Sequence, residues 1–319
     1  MGGIRRRTCA LAGLLLACPL PLAAQSPPAA PSTWQIDASV GVGRIAPDDL
    51  NARVAYDTAW LDYLRTAQVS QQHDGALREV QDTVPVSVRV ARRVGRHWLL
   101  GGGFSYFSSR EASSASASYR YTVVDPRAQE YQREFAQALD VDPLVLEVRD
   151  YLPHGVVGVD VALGSRLRIG GALVAGWAFA ECDLTRASMT QGGFYATNRQ
   201  SDLEMTGQGS GPAAEGWLTG RIALTRRVGV LVEGGFAWHE LETITGSLAI
   251  TQRIQDGEAA EVELEQVVRA DGRWVNQPVT LQSSSATWRG TVPSIGVQGS
   301  SFTLSLTGWQ FRLGVSLGL

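Results

Sequence analysis

The sequence predicts an all-β fold: an eight-stranded antiparallel up-and-down transmembrane β-barrel with long extracellular loops. Three observations predict it. The last twelve residues, Gly308 to Leu319, place Trp309, Phe311, Leu313, Val315, Leu317 and Leu319 on one face and only small or polar residues on the other. Seven earlier stretches alternate with the same period of two, and the connections between strands are long and short in turn. Aromatic residues gather at the ends of the apolar faces, while charges sit mid-strand on the opposite faces. Alternation over about 9–11 residues suits a membrane-crossing strand, and sorted loop lengths suit an antiparallel barrel.

In order, the predicted strands run Trp34 to Ile45, Thr83 to Val94, His97 to Phe107, Val156 to Gly164, Leu167 to Glu181, Ala213 to Thr225, Val228 to Glu240 and Gly308 to Leu319. The second shows the pattern plainly, with Val84, Val86, Val88 and Val90 on one face. All three short connections carry arginine: Arg92, Arg93 and Arg96; Arg166; Arg226 and Arg227. The long connections are expected as loops. Pro47 to Ala67 has a helix-start signal and Leu50, Val54, Leu61 and Leu64 at helical spacing, which predicts a short helix. Tyr131, Phe135 and Leu139 recur at i, i+4, i+8, which predicts a second helix over Pro126 to Leu139. The last long loop holds β-like pieces, Val262 to Val268 and Thr291 to Val297, and a hairpin from them would raise the count to ten strands.

The N-terminus reads as a targeting segment. Arg5, Arg6 and Arg7 precede an apolar run from Cys9 to Leu22, and Ala23-Ala24 offer a cleavage site, so residues 1–24 are expected to be a signal peptide. Residues 25–33 form a Pro/Ala-rich linker, and residues 34–319 the barrel domain. Leu15-Leu16-Ala17-Cys18 also resembles a lipobox. Ordinary cleavage leaves Cys182 as the one cysteine, without a disulfide partner. All 28 basic residues are arginine, and the net charge of -3 points to no nucleic-acid partner. Charged residues make up 18% of the chain, below the roughly 25% of an average soluble domain.

Alternation alone also fits a cup that is apolar inside. The aromatics favour the apolar face as the lipid face: Trp34 and Trp98 at one end, and Phe104, Tyr106, Trp177, Phe179, Phe236, Trp238 and Trp309 at the other, form two expected girdles. Parity then sends Asp37, Arg89, Asp160, Arg168, Glu215, Arg221, Glu233 and Arg312 into the lumen, with Trp217. Four positive and four negative charges in a narrow barrel are expected to pair and plug it.

The terminal strand resembles the C-terminal assembly signal of outer-membrane barrel proteins: a polar residue, then glycine two on, then two apolar residues at alternate positions. Arg312, Gly314, Leu317 and Leu319 fit it, although many such proteins end in phenylalanine. On these residues the chain resembles a small outer-membrane β-barrel of the OmpA/OmpX/OmpW-like group. The resemblance implies residence in the outer membrane, contact with its lipid, and reading of Arg312 to Leu319 by the barrel-assembly machinery.

Candidate chemistry is sparse. The four histidines, His73, His97, His154 and His239, lack a nucleophile signature, and His154 and His239 with Glu240 are expected as solvated residues at the outer rim. No spacing points to a metal or cofactor. The runs Gly101-Gly102-Gly103, Gly170-Gly171 and Gly234-Gly235 lie within strands, where glycine permits curvature. The expected function is a non-enzymatic barrel with a structural, adhesive or ligand-binding loop module. Its rivals are a narrow pore for small or hydrophobic solutes and a rim-located lipid or peptide hydrolase.

Overall fold

The computed structural model describes residues 34–66, 72–124, 132–192, 198–255, 263–282 and 287–319. The expected signal peptide and linker lie outside them. The chain folds as β1 (Trp34–Ile45), α1 (Asp48–Thr66), β2 (Gln72–Gly75), β3 (Asp82–Val94), β4 (Trp98–Val124), β5 (Gln132–Ala162), β6 (Leu167–Gly192) and β7 (Asn198–Ala223). Then come β8 (Val228–Leu241), β9 (Ile244–Gln255), β10 (Glu263–Gln282), β11 (Thr287–Ile295), β12 (Ser300–Ser301), β13 (Leu304–Ser305) and β14 (Gly308–Gly318).

Eight strands close a ring. The order β7-β6-β5-β4-β3-β1-β14-β8 returns to its start because β7 also pairs with β8. Every pairing is antiparallel, and the eight are the strands the alternation predicts, in chain order. The seam joins the two sequence ends, with Gln35 opposite Gly318 and Ile45 opposite Gly308. Glycine is required there: a Cβ at Gly314 would lie 2.0 Å from the Ala38 carbonyl oxygen.

Four strands outrun the ring. Ser108 to Leu152 and Cys182 to Pro212, expected as loops, are mainly the outer halves of β4, β5, β6 and β7. At its inner end β7 pairs with β8 from Ala213 to Ala223; at its outer end it pairs with β9 from Asn198 to Gly209. Strands β9, β10 and β11 extend this outer sheet. Val267 faces Thr251 of β9 and Thr291 faces Pro278 of β10, so the expected hairpin of these two pieces does not form, and neither enters the ring.

The second expected helix is corrected too. Gln132 to Leu139 is strand, paired with β4 as far as Val124, and the preceding residues lie outside those described. A spacing of four is also an even spacing. Residues at that spacing therefore fit one face of a strand as readily as one face of a helix.

The predicted helix does form, as α1. Asp48 and Asp49 sit in its first turn, where the helix dipole favours negative charge. Leu50, Val54, Leu61 and Leu64 are buried. Their partners are inward residues of the outer sheet, among them Leu144, Leu146, Cys182, Leu184, Met205 and Trp274. Each such side chain contributes about 2 kcal/mol on burial. Asp57 lies within the same buried stripe and accepts from Arg186 of β6 at 2.8 Å and from Arg53 at 2.9 Å.

Polarity inverts along the strands. In the ring, the outward residues of β6 include the exposed Leu167, Ile169, Leu173, Trp177 and Phe179. From Glu181 onward its outward residues are Glu181, Asp183 and Thr185, while the inward Ala180, Cys182 and Leu184 are apolar and buried, as Val174 and Ala178 are within the ring. The change falls at one level on neighbouring strands. Tyr106, Tyr151 and Phe179 face one another across β4, β5 and β6; two residues on, Ser108, Arg149, Glu181 and Gln208 align from β4 to β7. The inner face switches nearby, where Phe107 stands opposite Asp150.

Candidate functional site: the charged interior of the ring

Period-two parity decides which side chains enter the ring. Arg89 and Arg93 share a face of β3; Asp150, His154 and Asp160 share one of β5; Glu233 and His239 share one of β8. Register then sets them side by side. Asp37 faces Arg89 across β1 and β3, and Arg312 faces Glu233 across β14 and β8. Arg168 and Arg221 also face each other, a like-charged pair that costs energy by itself. Asp160 lies between them and offsets the repulsion.

The contacts form one continuous chain. At the end near the short turns, Asp160 accepts from Arg168 at 2.8 Å and from Arg93 at 2.9 Å, and lies 3.7 Å from Arg221. Arg221 donates to Asp37 at 2.8 Å, and Gln35 donates to the same carboxylate at 2.9 Å. Arg89 stands 3.9 Å from Asp37 and donates to Glu233. Ser39 donates to Glu233 at 3.1 Å, and Arg312 approaches it at 3.4 Å. Arg312 reaches Glu215 at 3.6 Å and stacks on the Trp217 ring, whose Nε1 donates to Glu215 at 2.8 Å. His239 Nε2 lies 3.5 Å from Glu215, and its Nδ1 lies 2.8 Å from Asp150.

All eight charges that parity selects therefore lie inside the ring. Seven are buried, and Arg168 is partly exposed at the turn end. Trp217 lies inside with them, and the alternation of β7 runs through Gly216 without a slip. Parity counting that stops short of the strand ends misses three members. Arg93, which the sequence assigns to a short connection, lies two steps beyond Ala91 on the Arg89 face and binds Asp160. His239 lies at the end of the predicted Val228 to Glu240, on the Glu233 face, and Asp150 lies before the predicted start at Val156. With them the interior holds five arginines, Arg89, Arg93, Arg168, Arg221 and Arg312, against five carboxylates, Asp37, Asp150, Asp160, Glu215 and Glu233.

The expected rim histidines need correction. His239 is fully buried against Asp150 and the Phe107 ring, and His154 is buried with its Nδ1 on the Leu152 carbonyl. Strand β5 runs past His154 for the whole outer section, so neither residue stands at a rim. The His239–Asp150 pair has the form of an oriented base, yet neither residue offers surface to a substrate. Among the described residues, no group of three or more His, Cys, Asp or Glu is disposed to hold a metal ion.

The aromatic residues point the other way. Trp34, Trp98, Phe104, Trp177, Phe179, Phe236, Trp238 and Trp309 are all exposed on the outer face of the ring. Tyr106 is half-buried, its ring 5.2 Å from that of Tyr151. In the terminal strand, Arg312 points inward while Leu317 and Leu319 are exposed. No helix among the described residues is long and apolar enough to cross a membrane.

No protein-family model matches the chain, and no curated protein matches it.

Proposed function

We propose that the protein is an integral outer-membrane β-barrel of the OmpA/OmpX/OmpW-like group. Its ring crosses the bilayer, its lumen is plugged by paired charge, and its outer section is a surface module with a structural, adhesive or ligand-binding role. The observation that carries the reading is the inversion of polarity along β4 to β7. A strand in one solvent keeps one face buried along its whole length. A strand that exposes apolar residues over one half and polar residues over the other meets two solvents.

The dimensions agree. Leu167 to Phe179 is twelve steps of about 3.3 Å, or roughly 30 Å along an axis tilted by about 40°. A hydrocarbon core is about 30 Å thick. In water, so continuous an apolar belt would far exceed the few hundred Å² that monomeric proteins expose. In lipid the same belt is satisfied, and the rings at its ends sit at headgroup level. An eight-stranded ring is only wide enough for side chains to fill. Export by the N-terminal segment and recognition of Arg312, Gly314, Leu317 and Leu319 by the assembly machinery belong to the same proposal.

Planar-bilayer recording of the refolded protein tests the plug. Insertion without stable conductance steps is expected. Stable steps would overturn the plugged lumen in favour of the narrow-pore alternative, and failure to insert into liposomes would overturn the membrane reading itself.

A further inference from the structure

We infer that the cleft between α1 and the free edge of the outer sheet binds a small organic cation carried on an apolar or aromatic body. The outer sheet does not close. Among the described residues, β11 pairs only with β10, and beyond Ser108 the side of β4 turned from β5 pairs only with the short β2. The gap between these edges is a cleft of about 980 Å³. That lies at the upper end of the range of small-molecule sites.

The walls are apolar and aromatic. Tyr63 and Trp288 line the cleft together with Val54, Leu77 and Leu281. Trp288 also packs edge-on to Tyr56, with ring centres 5.9 Å apart, which holds it in place. Among the described lining residues, carboxylates outnumber arginine: Asp62, Glu79, Asp82 and Glu111 stand with Arg78. Arg78 lies 3.7 Å from Glu111. Negative charge beside low-dielectric walls concentrates cations, and aromatic faces attract the same ligands. An anion would be repelled, and a small hydrated cation would leave the rings uncovered. The floor is preformed, because Asn51 of α1 bonds the backbone of Val80 in both directions, at 3.1 and 2.9 Å.

The inference rests on the reading of the outer section as a binding module and gives that module a ligand class. The test uses the full-length protein folded in detergent, titrated by calorimetry with tetraphenylphosphonium and, in parallel, with tetraphenylborate, an anion of the same shape. Saturable binding of the phosphonium at one site is expected, with only non-saturable micelle uptake of the borate. Binding should weaken at least tenfold in the double variant Asp82→Asn/Glu111→Gln and in Trp288→Ala, each checked for folding by heat-modifiable gel mobility. Absence of saturable binding, equal binding of both ions, or unchanged binding in the folded double variant would overturn the inference. The comparison of the two ions needs only the wild-type protein, so a misfolded variant does not rescue the idea. Liposome insertion is measured separately, so a failed titration with intact insertion removes the ligand and leaves the barrel.

Discussion

The guanidinium carbon of Arg312 lies 3.5 Å from the centre of the Trp217 ring, deep inside the strand ring. Arg312 is 1% exposed, and its nitrogens rely on the ring face and on Glu215 and Glu233 at 3.6 and 3.4 Å. A buried arginine held this way is a keystone for two carboxylates. Its loss would leave negative charge uncompensated where water cannot reach it.

Replacing Arg312 by alanine is therefore expected to destabilise the folded barrel by about 3–5 kcal/mol. Reversible urea unfolding in liposomes measures it. The double variant Arg312→Met/Glu215→Gln, which keeps buried arginines and carboxylates equal in number, should lose less than the single one if uncompensated charge is the cause. Equal losses would assign the effect to packing against Trp217 alone.

The helix within the outer sheet is pinned by a buried ion pair. Asp57 is fully buried and meets Arg186 at 2.8 Å. Asp57→Ala should cost about 3–5 kcal/mol of local stability by leaving Arg186 unpaired. Limited proteolysis should then cut within residues 48–66 while the ring keeps its heat-modifiable mobility. Resistance equal to wild type would mean that Leu50, Val54, Leu61 and Leu64 hold α1 without the pair.

Cys182 sits in the outer core opposite Val148, and burial pushes its thiol well above the usual cysteine range. The folded protein should be silent to a thiol reagent at pH 8 and react once unfolded. The sign of the pH dependence follows. The unfolded thiol loses its proton near pH 8.5 while the folded one keeps it, so stability is lost as pH rises beyond about 8.5. Unfolding midpoints that fall between pH 8 and pH 10 for wild type but not for Cys182→Ala would show it. An identical pH profile for the two proteins would contradict it.

The ring was legible because its alternation is strong. Val84, Val86, Val88 and Val90 on one face with Ser87 and Arg89 on the other leave one assignment for that strand. The outer halves were not legible, for a physical reason. Ser114 to Ser118 alternates serine with alanine, residues of similar size and weak preference, so the pattern has little amplitude. Along β6 the outward face turns from apolar to polar beyond Phe179 while the inward face stays apolar, which blurs any window that spans both halves. The mid-strand interior charges followed from parity. The same parity carried to the ends of the predicted strands reaches Arg93 and His239, whereas Asp150 lies six residues before the predicted start at Val156. The cleft had no signature, because Tyr63 and Trp288 lie far apart in sequence and meet only through the fold.

The central claim is that the ring meets lipid and the outer section meets water. Strand β6 tests both on one face. Leu173 in the belt is 71% exposed, and Thr185 beyond the change is exposed as well. The measurement is the folding free energy of Leu173→Arg and of Thr185→Arg in liposomes. A loss of about 2–4 kcal/mol for Leu173→Arg, with a change within about 0.5 kcal/mol for Thr185→Arg, is the predicted result. Equal tolerance of arginine at the two sites would place both in water and contradict the account.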